Sequence, residues 1–293
     1  MAKGSQKRAR PSFKAKRKKS SLGFLVAVSI AVVLAAVAVF YLASGGSNSG
    51  PARNPTADGG QETNARQLEY EVVNSYPHDP AAFLQGLLWY QGGFYESTGL
   101  YGQSTLRRIE FPSGKILKSI SLPPELFGEG LALVGNRLVQ LEWKSRRGFV
   151  YDRDSFALLR EFRYDSEGWG ITYDGKYLIM SDGSSKLTYL DPDSFAAVRT
   201  LAVTMNGRAI DRLNELEFIE GEIWSNVWQT DLVLRIDPGT GKVTSFLNLS
   251  GLLPASMRTG TEDVLNGIAY DAQQKRIFVS GKLWPRIFEI RIK

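Results

Sequence analysis

The chain has 293 residues, with no cysteine and a single histidine. The lack of cysteine excludes a disulfide framework and cysteine-ligated metal sites, and one histidine leaves a typical zinc site short of ligands. The formal charge of +6 comes from the N-terminus, because residues 1–20 contain nine Lys or Arg and no acid, and the rest has 27 basic against 30 acidic residues. The bulk of the chain therefore lacks the basic surface expected of a nucleic-acid-binding protein.

The N-terminal part of the chain predicts a membrane anchor. Residues 1–21 are basic and are followed at 22–43 by an uncharged, mostly apolar run. A helix of that length spans about 30 Å, the hydrocarbon thickness of a bilayer. The basic block is expected to stay in the cytoplasm, which places the rest of this single-pass protein in the periplasm or at the cell exterior. A cleaved signal peptide is the alternative, although its apolar core usually has only about 7–15 residues.

The next segment, 44–66, is rich in Gly, Ser, Asn and Pro and predicts a flexible linker. From residue 67 to residue 293 the sequence contains five similar units, whose first residues are 40 to 52 positions apart. The units begin at Gln85, Glu129, Trp169, Asn214 and Asn266. Each has two apolar hairpins with Gly, Pro, Asp or Ser in the turns, and four strands in about 45 residues are typical of a propeller blade.

The last unit has only three strands, the third at 286–292, whereas a spare strand is present at 68–73. Pairing these two segments within one blade would close the ring and remove an exposed sheet edge. The predicted fold is therefore an all-β, five-bladed β-propeller, closed by pairing of the N- and C-terminal strands and preceded by one transmembrane helix.

A propeller brings the start of each inner strand and the end of the following strand to the same mouth of the central channel. Ten residues occupy these positions, as the pairs Gln85 and Thr98, Glu129 and Trp143, Trp169 and Asp182, Asn214 and Trp228, and Asn266 and Lys282. Three tryptophans beside a few polar groups predict a pocket with apolar walls. Glu129, which lies between two glycines, is the best-placed acid.

Other chemistries find little support in the sequence. His78 lies in a loop ahead of the first unit, and we interpret it as a hydrogen-bonding residue that fixes this loop. A Ser-His-Asp triad would need this histidine, and no Gly-x-Ser-x-Gly motif accompanies it. Dinucleotide-binding and Walker motifs are also lacking. The chemistry that remains is that of a carboxylate.

Several dispersed motifs lie in register between residues 69 and 293. They are found at 76–87, 96–102, 127–130, 167–170, 213–217, 224–228, 265–267 and 281–284. Together they resemble the glutamine cyclotransferase family, the propeller type found in plants and bacteria. The resemblance implies an enzyme that converts the N-terminal glutamine of peptides or proteins to pyroglutamate and releases ammonia, without a metal or other cofactor.

Motif positions in that family imply a role for nine residues of this chain. They are Glu129 as the acid–base residue, Lys282 and Asn214 as further catalytic groups, and Phe83, Gln85, Phe127, Trp143, Trp169 and Trp228 around the substrate. The repeat adds Asn266 to the substrate-binding set. Two alternatives stay open. A Ca²⁺-dependent propeller lactonase could use oxygen ligands from Glu129, Asn214, Asn266 and Asp182, and a non-catalytic propeller could bind a protein or glycan at the aromatic rim.

Overall fold

The computed structural model describes residues 64–293. The predicted cytoplasmic segment 1–21, the predicted anchor 22–43 and nearly all of the predicted linker 44–66 lie outside the described residues. Within residues 64–293, no helix is long and apolar enough to cross a bilayer. This part of the chain is built from β-strands, with one short 3-10 helix at Ala255–Met257.

The strands of residues 64–293 are listed here in chain order. They are β1 (Arg66–Leu68), β2 (Tyr70–Pro77), β3 (Leu84–Tyr90), β4 (Gly93–Thr98), β5 (Thr105–Glu110), β6 (Ile116–Ser121), β7 (Gly128–Val134), β8 (Arg137–Glu142), β9 (Arg147–Asp152), β10 (Leu158–Arg163), β11 (Ile171–Tyr173), β12 (Leu178–Ser181), β13 (Lys186–Leu190), β14 (Ala197–Ala202), β15 (Thr204–Met205), β16 (Arg208–Ala209), β17 (Leu213–Ile219), β18 (Glu222–Val227), β19 (Leu232–Ile236), β20 (Val243–Asn248), β21 (Leu265–Asp271), β22 (Arg276–Gly281) and β23 (Arg286–Ile292).

These strands form five antiparallel blades, as the repeat predicts. From the inner strand outwards, blade one is β3 to β6, blade two β7 to β10, blade three β11 to β14 and blade four β17 to β20. Blade five is β21, β22, β23 and then β2. A small hairpin, β15 with β16, lies in the connection between blades three and four.

The two ends of the described chain close the ring. Strand β2 pairs antiparallel with β23, with Tyr70 opposite Ile292 and Pro77 opposite Arg286, so the predicted pairing of terminal segments is confirmed. The predicted bounds of this strand are wrong at its start. Residues Arg66–Leu68 instead pair in parallel with β20 and add a fifth strand to blade four.

The reason for this difference is the burial of Leu68. Its side chain is packed in the apolar cluster between blades four and five, with Trp224, Val233 and Leu247. An alternating pattern identifies a strand but cannot identify which sheet edge the strand joins, because that depends on the space between two blades.

The hydrophobic core consists of clusters between neighbouring blades. Blades one and two, for example, share a cluster that contains Leu88, Tyr95, Leu131, Leu138 and Phe149. Further clusters join each remaining pair of neighbours, including blades five and one. Each inner strand is thus packed on both sides. The core holds the inner strands side by side around the channel, and their first residues share one end of it.

Candidate active site

A β-bulge lies at the start of four inner strands, and it contains the polar residue that the repeat singled out. The pairing shifts between Leu84 and Gly86 in β3, between Gly128 and Leu131 in β7, between Leu213 and Leu216 in β17, and between Leu265 and Ile268 in β21. The residues left out of the regular pairing include Gln85, Glu129, Asn214 and Asn266. A bulge redirects the side chain of the extra residue, which is why bulges are frequent beside active sites.

Glycines after the bulged residues bring the inner strands close together. A Cβ atom on Gly86 would lie 2.5 Å from the backbone nitrogen of Leu131, and one on Gly130 would lie 2.6 Å from that of Ile171. Each position thus faces the backbone of the next blade at a distance that no side chain tolerates. The close approach of the strands draws the polar side chains of different blades into one cluster.

The centre of this cluster is Glu129, which is 5% exposed. Its Oε1 accepts a hydrogen bond of 3.0 Å from Gln85 Nε2. The Oε1 of Gln85 in turn accepts one of 3.3 Å from Asn266 Nδ2, which also donates to the backbone oxygen of Leu84 at 3.1 Å. Side chains from blades two, one and five are therefore connected in a single buried chain.

Burial and the neighbouring charges shift the pKa values of both Glu129 and Lys282. Burial raises the pKa of Glu129 well above its usual range, Lys282 lowers it, and the carboxylates of Glu142 and Glu167 raise it further. Burial lowers the pKa of Lys282, while Glu129 and Asp263 oppose that shift. The acid is thus pushed towards its neutral form and the amine towards its neutral form. Their pKa values move towards each other, which suits groups that exchange protons.

Aromatic side chains surround this polar cluster. The ring centroid of Phe127 lies 6.0 Å from that of Phe83 and 5.4 Å from that of Trp143. The rings of Trp169 and Trp228 meet edge to face at 5.5 Å. The three tryptophans are partly exposed and belong to none of the apolar clusters between blades. They are therefore not part of the packing between blades, and each leaves part of its indole ring exposed.

Lys282 follows β22 directly and lies against one of these walls. Its Nζ is 4.9 Å from the ring centroid of Phe83, and the side chain is only 4% exposed. Its backbone is fixed by two hydrogen bonds, from Lys282 N to Val264 O at 2.9 Å and from Asp263 N to Lys282 O at 3.0 Å. The backbone of Lys282 is therefore fixed after β22, and its ammonium group faces the ring of Phe83, near enough to Glu129 for each to shift the pKa of the other.

Two buried carboxamide oxygens in the cluster have no hydrogen-bond partner among residues 64–293. They are Oδ1 of Asn214 and Oδ1 of Asn266, on residues that are 2% and 0% exposed. A buried acceptor without a donor costs about 1–3 kcal/mol. Buried polar atoms without a partner are rare in native proteins, and a functional role is one explanation for them. Both oxygens therefore lack a donor within the described part of the chain.

Glu167 is a member of the site that the sequence analysis missed. Its Oε2 accepts hydrogen bonds from both indole nitrogens, Trp143 Nε1 at 2.8 Å and Trp169 Nε1 at 3.0 Å. One carboxylate therefore connects the wall of blade two to that of blade three. The signal in the sequence was an acid two residues before a tryptophan in Glu-Gly-Trp-Gly, but its partner Trp143 lies in another blade.

Two of the ten residues expected at the mouth have their polar groups engaged elsewhere. Asp182 Oδ1 accepts hydrogen bonds from Ser184 N at 3.0 Å and from Ser184 Oγ at 2.6 Å, within its own turn. Thr98 Oγ1 lies 2.7 Å from Thr105 Oγ1 on the neighbouring strand. In the part of the chain that the structure describes, no three His, Asp or Glu side chains are grouped as metal ligands. The turn role of Asp182 weakens the predicted calcium-ligand set.

His78 lies away from the polar cluster and holds a loop. Its Nδ1 is 2.7 Å from the backbone oxygen of Trp284 in blade five, and its Nε2 is 3.3 Å from Glu96 Oε2 in blade one. Both side chains are buried. These contacts agree with the predicted loop-fixing role, and they stabilise the junction where the ring closes.

A third glutamate separates the two ends of the channel. Glu215 stands where the other blades have glycine after the bulged polar residue, and it is 1% exposed. Its two carboxylate oxygens accept hydrogen bonds from the backbone of blade one, Leu87 N at 3.2 Å, and of blade five, Ile268 N at 2.9 Å. The carboxylate thus crosses the channel and ties blade four to blades one and five.

Comparison with known proteins agrees with this architecture. The family model described as Glutamine cyclotransferase matches residues 43–292. A glutaminyl-peptide cyclotransferase from Arabidopsis thaliana is 40% identical over an alignment of 277 positions, which covers 92% of this chain and 84% of that protein. The crystal structure of glutaminyl cyclase from Myxococcus xanthus superposes with a TM-score of 0.74 at 40% identity, over 78% of this chain and 98% of that one.

Proposed function

The chain belongs to the glutamine cyclotransferase family, and from that premise we propose that Glu129 carries the proton transfers of its reaction. The activity is that of a glutaminyl-peptide cyclotransferase, an acyltransferase that acts on peptides and proteins with N-terminal glutamine. The product is an N-terminal pyroglutamate, and ammonia is released. The observation that carries the assignment of Glu129 is its burial beside Gln85 and Lys282 on the floor of an aromatic pocket.

The reaction needs no nucleophile from the enzyme, because both reacting groups belong to the substrate. The α-amine attacks the Cδ carbon of its own side-chain amide, the new C–N bond forms, and the bond to the amide nitrogen breaks. Holding the glutamine in a curled conformation makes the attack intramolecular, and correct orientation can supply about 7–11 kcal/mol. The aromatic walls of Phe83, Phe127 and the three tryptophans are suited to impose that conformation and to exclude water, which would otherwise hydrolyse the amide.

Two proton movements remain, and one carboxylate can perform both. The amine loses a proton as it attacks, and the departing nitrogen gains one to leave as ammonia. Glu129 would accept the first proton and donate it to the leaving group, a general acid–base contribution of about 10²–10⁴ in rate. Burial raises the pKa of Glu129, which makes its carboxylate a stronger base for the first of these steps.

The oxyanion of the tetrahedral intermediate needs a hydrogen-bond donor. The indole N–H groups of Trp143 and Trp169 already donate to Glu167, so they are poor candidates. Lys282 remains, with its buried ammonium beside Glu129, together with the amide of Asn214. We assign the oxyanion to Lys282, because a charged donor in a buried site stabilises developing negative charge most strongly.

Substrate recognition is assigned to the two unpartnered oxygens. Asn214 Oδ1 and Asn266 Oδ1 can accept hydrogen bonds from the amine and the amide of the glutamine, which between them carry the donors that this cluster lacks. Gln85 would orient Glu129 through their hydrogen bond. This division leaves Glu129 and Lys282 to the chemistry and the carboxamides to binding.

We also propose that the reaction is independent of metal ions, because each charge that develops in it has a protein group to meet it. The test is to incubate the purified protein with a glutamine-initiated peptide and to follow loss of one ammonia by mass spectrometry. Cyclisation at an unchanged rate after treatment with a chelator is expected. Loss of activity that returns on adding Ca²⁺ would contradict this proposal.

Finally, we propose that residues 22–43 anchor the protein in a membrane with the propeller on the extracytoplasmic side. The support is the basic segment 1–21 followed by an uncharged apolar run of spanning length. A phosphatase reporter fused after Lys293 is expected to be active, since such reporters need export. A reporter that is active only in the cytoplasm would reject the topology.

A further inference from the structure

Tyr101 is an exposed aromatic residue at the lip of the pocket. It lies in the loop between β4 and β5, and its side chain is 51% exposed. Its ring meets that of Phe127 edge to face, with centroids 5.4 Å apart, whereas Phe127 itself is 8% exposed. Phe127 in turn contacts Phe83 and Trp143. Tyr101 therefore continues the aromatic wall beyond the pocket, towards solvent.

The loop that carries Tyr101 is held in place at both ends. Gly99 N donates to Phe83 O at 2.8 Å, and Gly102 N donates to Pro124 O at 2.9 Å. Leu100, which directly precedes Tyr101, has φ of 83°, a left-handed conformation that leucine rarely adopts. Such strain persists where the surroundings fix the backbone, and it is concentrated at ligand-binding sites.

The backbone of this loop also packs closely against Phe127. A Cβ atom on Gly99 would overlap the ring of Phe127, so the loop backbone rests directly on the pocket wall. Ser104 Oγ donates to the backbone oxygen of Leu100 at 2.8 Å. The phenol of Tyr101 also lies near the acids of the site: burial raises its pKa, and the carboxylates of Glu142, Glu129 and Glu167 add to that shift. Tyr101 is thus presented by a fixed loop on the side that faces the site.

The direction in which a bound peptide extends follows from the exposure of the residues at the two ends of the aromatic wall. Glu129 is 5% exposed and Tyr101 is 51% exposed, so the wall from Phe127 to Tyr101 leads from the buried acid towards solvent. With the amine and side chain of the glutamine placed at Glu129, the next Cα is about 3.8 Å further along the chain. That distance brings the second residue of the peptide to the lip, beyond Phe127.

We propose that Tyr101 is a specificity-determining residue, which forms with Phe127 a subsite for the second residue of the substrate and favours an aromatic or large aliphatic side chain there. The proposal rests on the cyclotransferase activity. A side chain that covers the exposed ring of Tyr101 would bury apolar surface and so strengthen binding. An aromatic side chain would strengthen it further, because two aromatic rings attract each other by more than the buried area accounts for. A glycine at the second position leaves Tyr101 uncovered.

The experiment compares two peptides that differ only at the second position, Gln-Phe-Ala-amide and Gln-Gly-Ala-amide. With the unaltered protein, we expect kcat/KM to be about 3- to 10-fold higher for the phenylalanine peptide, the range expected of one aromatic contact. In Tyr101→Ala this ratio should fall towards one. In Tyr101→Phe, which keeps the ring, the ratio should be retained.

Leu159→Ala is the matched control, because Leu159 is 54% exposed on the outer strand of blade two, away from the pocket. Its ratio should equal that of the unaltered protein. An equal loss for both peptides in Tyr101→Ala would show that Tyr101 only supports Phe127, and this result would overturn the proposal. A ratio of one in the unaltered protein would overturn it as well. No cyclisation of either peptide would instead reject the activity on which the subsite depends.

Discussion

The two ends of the central channel each contain a glutamate whose pKa is raised, but in different surroundings. At one end, Glu129 is bonded to the side chain of Gln85 and lies beside the charged group of Lys282. At the other end, Glu217 lines a cavity of about 120 Å³ formed by the last residues of four inner strands. Burial raises the pKa of both, that of Glu217 to about 8.

The partners of Glu217 are of a different kind. Its Oε2 lies 3.5 Å from Thr172 Oγ1, and the backbone N–H groups of Tyr270 and Phe218 lower its pKa slightly against the effect of burial. Aromatic side chains, Trp89, Tyr173 and Phe218, also line this cavity, but no cation acts on the carboxyl of Glu217 as Lys282 acts on that of Glu129. The comparison teaches that a raised carboxyl pKa does not by itself define an active site. What distinguishes Glu129 is its partners, the amide of Gln85 and the cationic side chain of Lys282, whereas the titratable neighbour of Glu217 is a second carboxyl, that of Glu215.

The strongest test of the comparison is Glu129→Gln. Glutamine keeps the shape and the hydrogen bonding of the site, but it cannot accept the proton. We expect kcat on a glutamine-initiated peptide to fall by about 10²-fold or more, in line with loss of a general acid–base. Affinity for a non-cyclising analogue and the melting temperature should change little. A folded variant with near-normal kcat would remove Glu129 from the mechanism.

Replacing Glu167 tests whether activity at the Glu129 end depends on the positions of Trp143 and Trp169. Glu167→Leu removes the acceptor that Trp143 and Trp169 share and leaves two indole N–H groups without it. Because Glu167 is partly exposed, we expect a loss in kcat/KM of about 10-fold, less than two fully buried charged hydrogen bonds would give. Glu167→Gln keeps an acceptor oxygen and should lose less. Equal losses in both variants would show that the charge of Glu167, not its hydrogen bonds, is what matters.

A smaller effect is expected for Trp169→Phe, which keeps most of the aromatic surface and removes the indole N–H. One of the two hydrogen bonds of Glu167 is lost, so kcat/KM should fall by about 3- to 10-fold, the worth of one such bond at a partly exposed site. Circular dichroism and a melting curve serve as the check on folding. Unfolding that parallels the loss of activity would mean that Trp169 packs the blade and does not line the pocket.

The smallest effect on catalysis is expected for Glu217→Gln, at the opposite end. The folded pKa of Glu217, about 8, lies above the ordinary carboxyl value of 4.5, so the folded state binds more protons between these limits. Its contribution to stability is present below the ordinary value and is lost as pH rises towards 8. Glu217→Gln has no such titration. We expect its melting temperature to fall less than that of the unaltered protein between pH 5 and about 8, by a few degrees.

Water reduces this expected difference in melting temperature, because the side chain of Glu217 is partly exposed. Turnover of glutamine-initiated peptides by Glu217→Gln should stay within about two-fold of the unaltered rate, since glutamine keeps the shape of the side chain and Glu217 lies outside the site of Glu129. A loss of kcat comparable with that of Glu129→Gln would contradict the distinction between the two ends. Glu129 titrates in both proteins, whereas the Glu217 carboxylate raises the pKa of Glu215, so the comparison reports Glu217 together with its effect on Glu215.

The polar residues at the mouth could be located from the sequence because they recur at one position of a repeat. Gln85, Glu129 and Asn266 were identified in this way, and the structure connects them by hydrogen bonds. The repeat did not reveal the bulges that redirect them. A bulge is visible only in the pairing of two strands, and the sequence of one strand does not contain that register.

What the sequence determined by itself was local. Hairpin patterns and turn residues specified five blades, and a missing strand at one end with a spare one at the other predicted the closure that β2 and β23 make. The tertiary structure alone decided three things: the joining of Arg66–Leu68 to blade four, the bridging of two indoles by Glu167, and the crossing of the channel by Glu215. Each of these contacts joins segments that are separate in the sequence. The distances between such segments are set by the packing of whole blades, and a local sequence pattern does not contain that information.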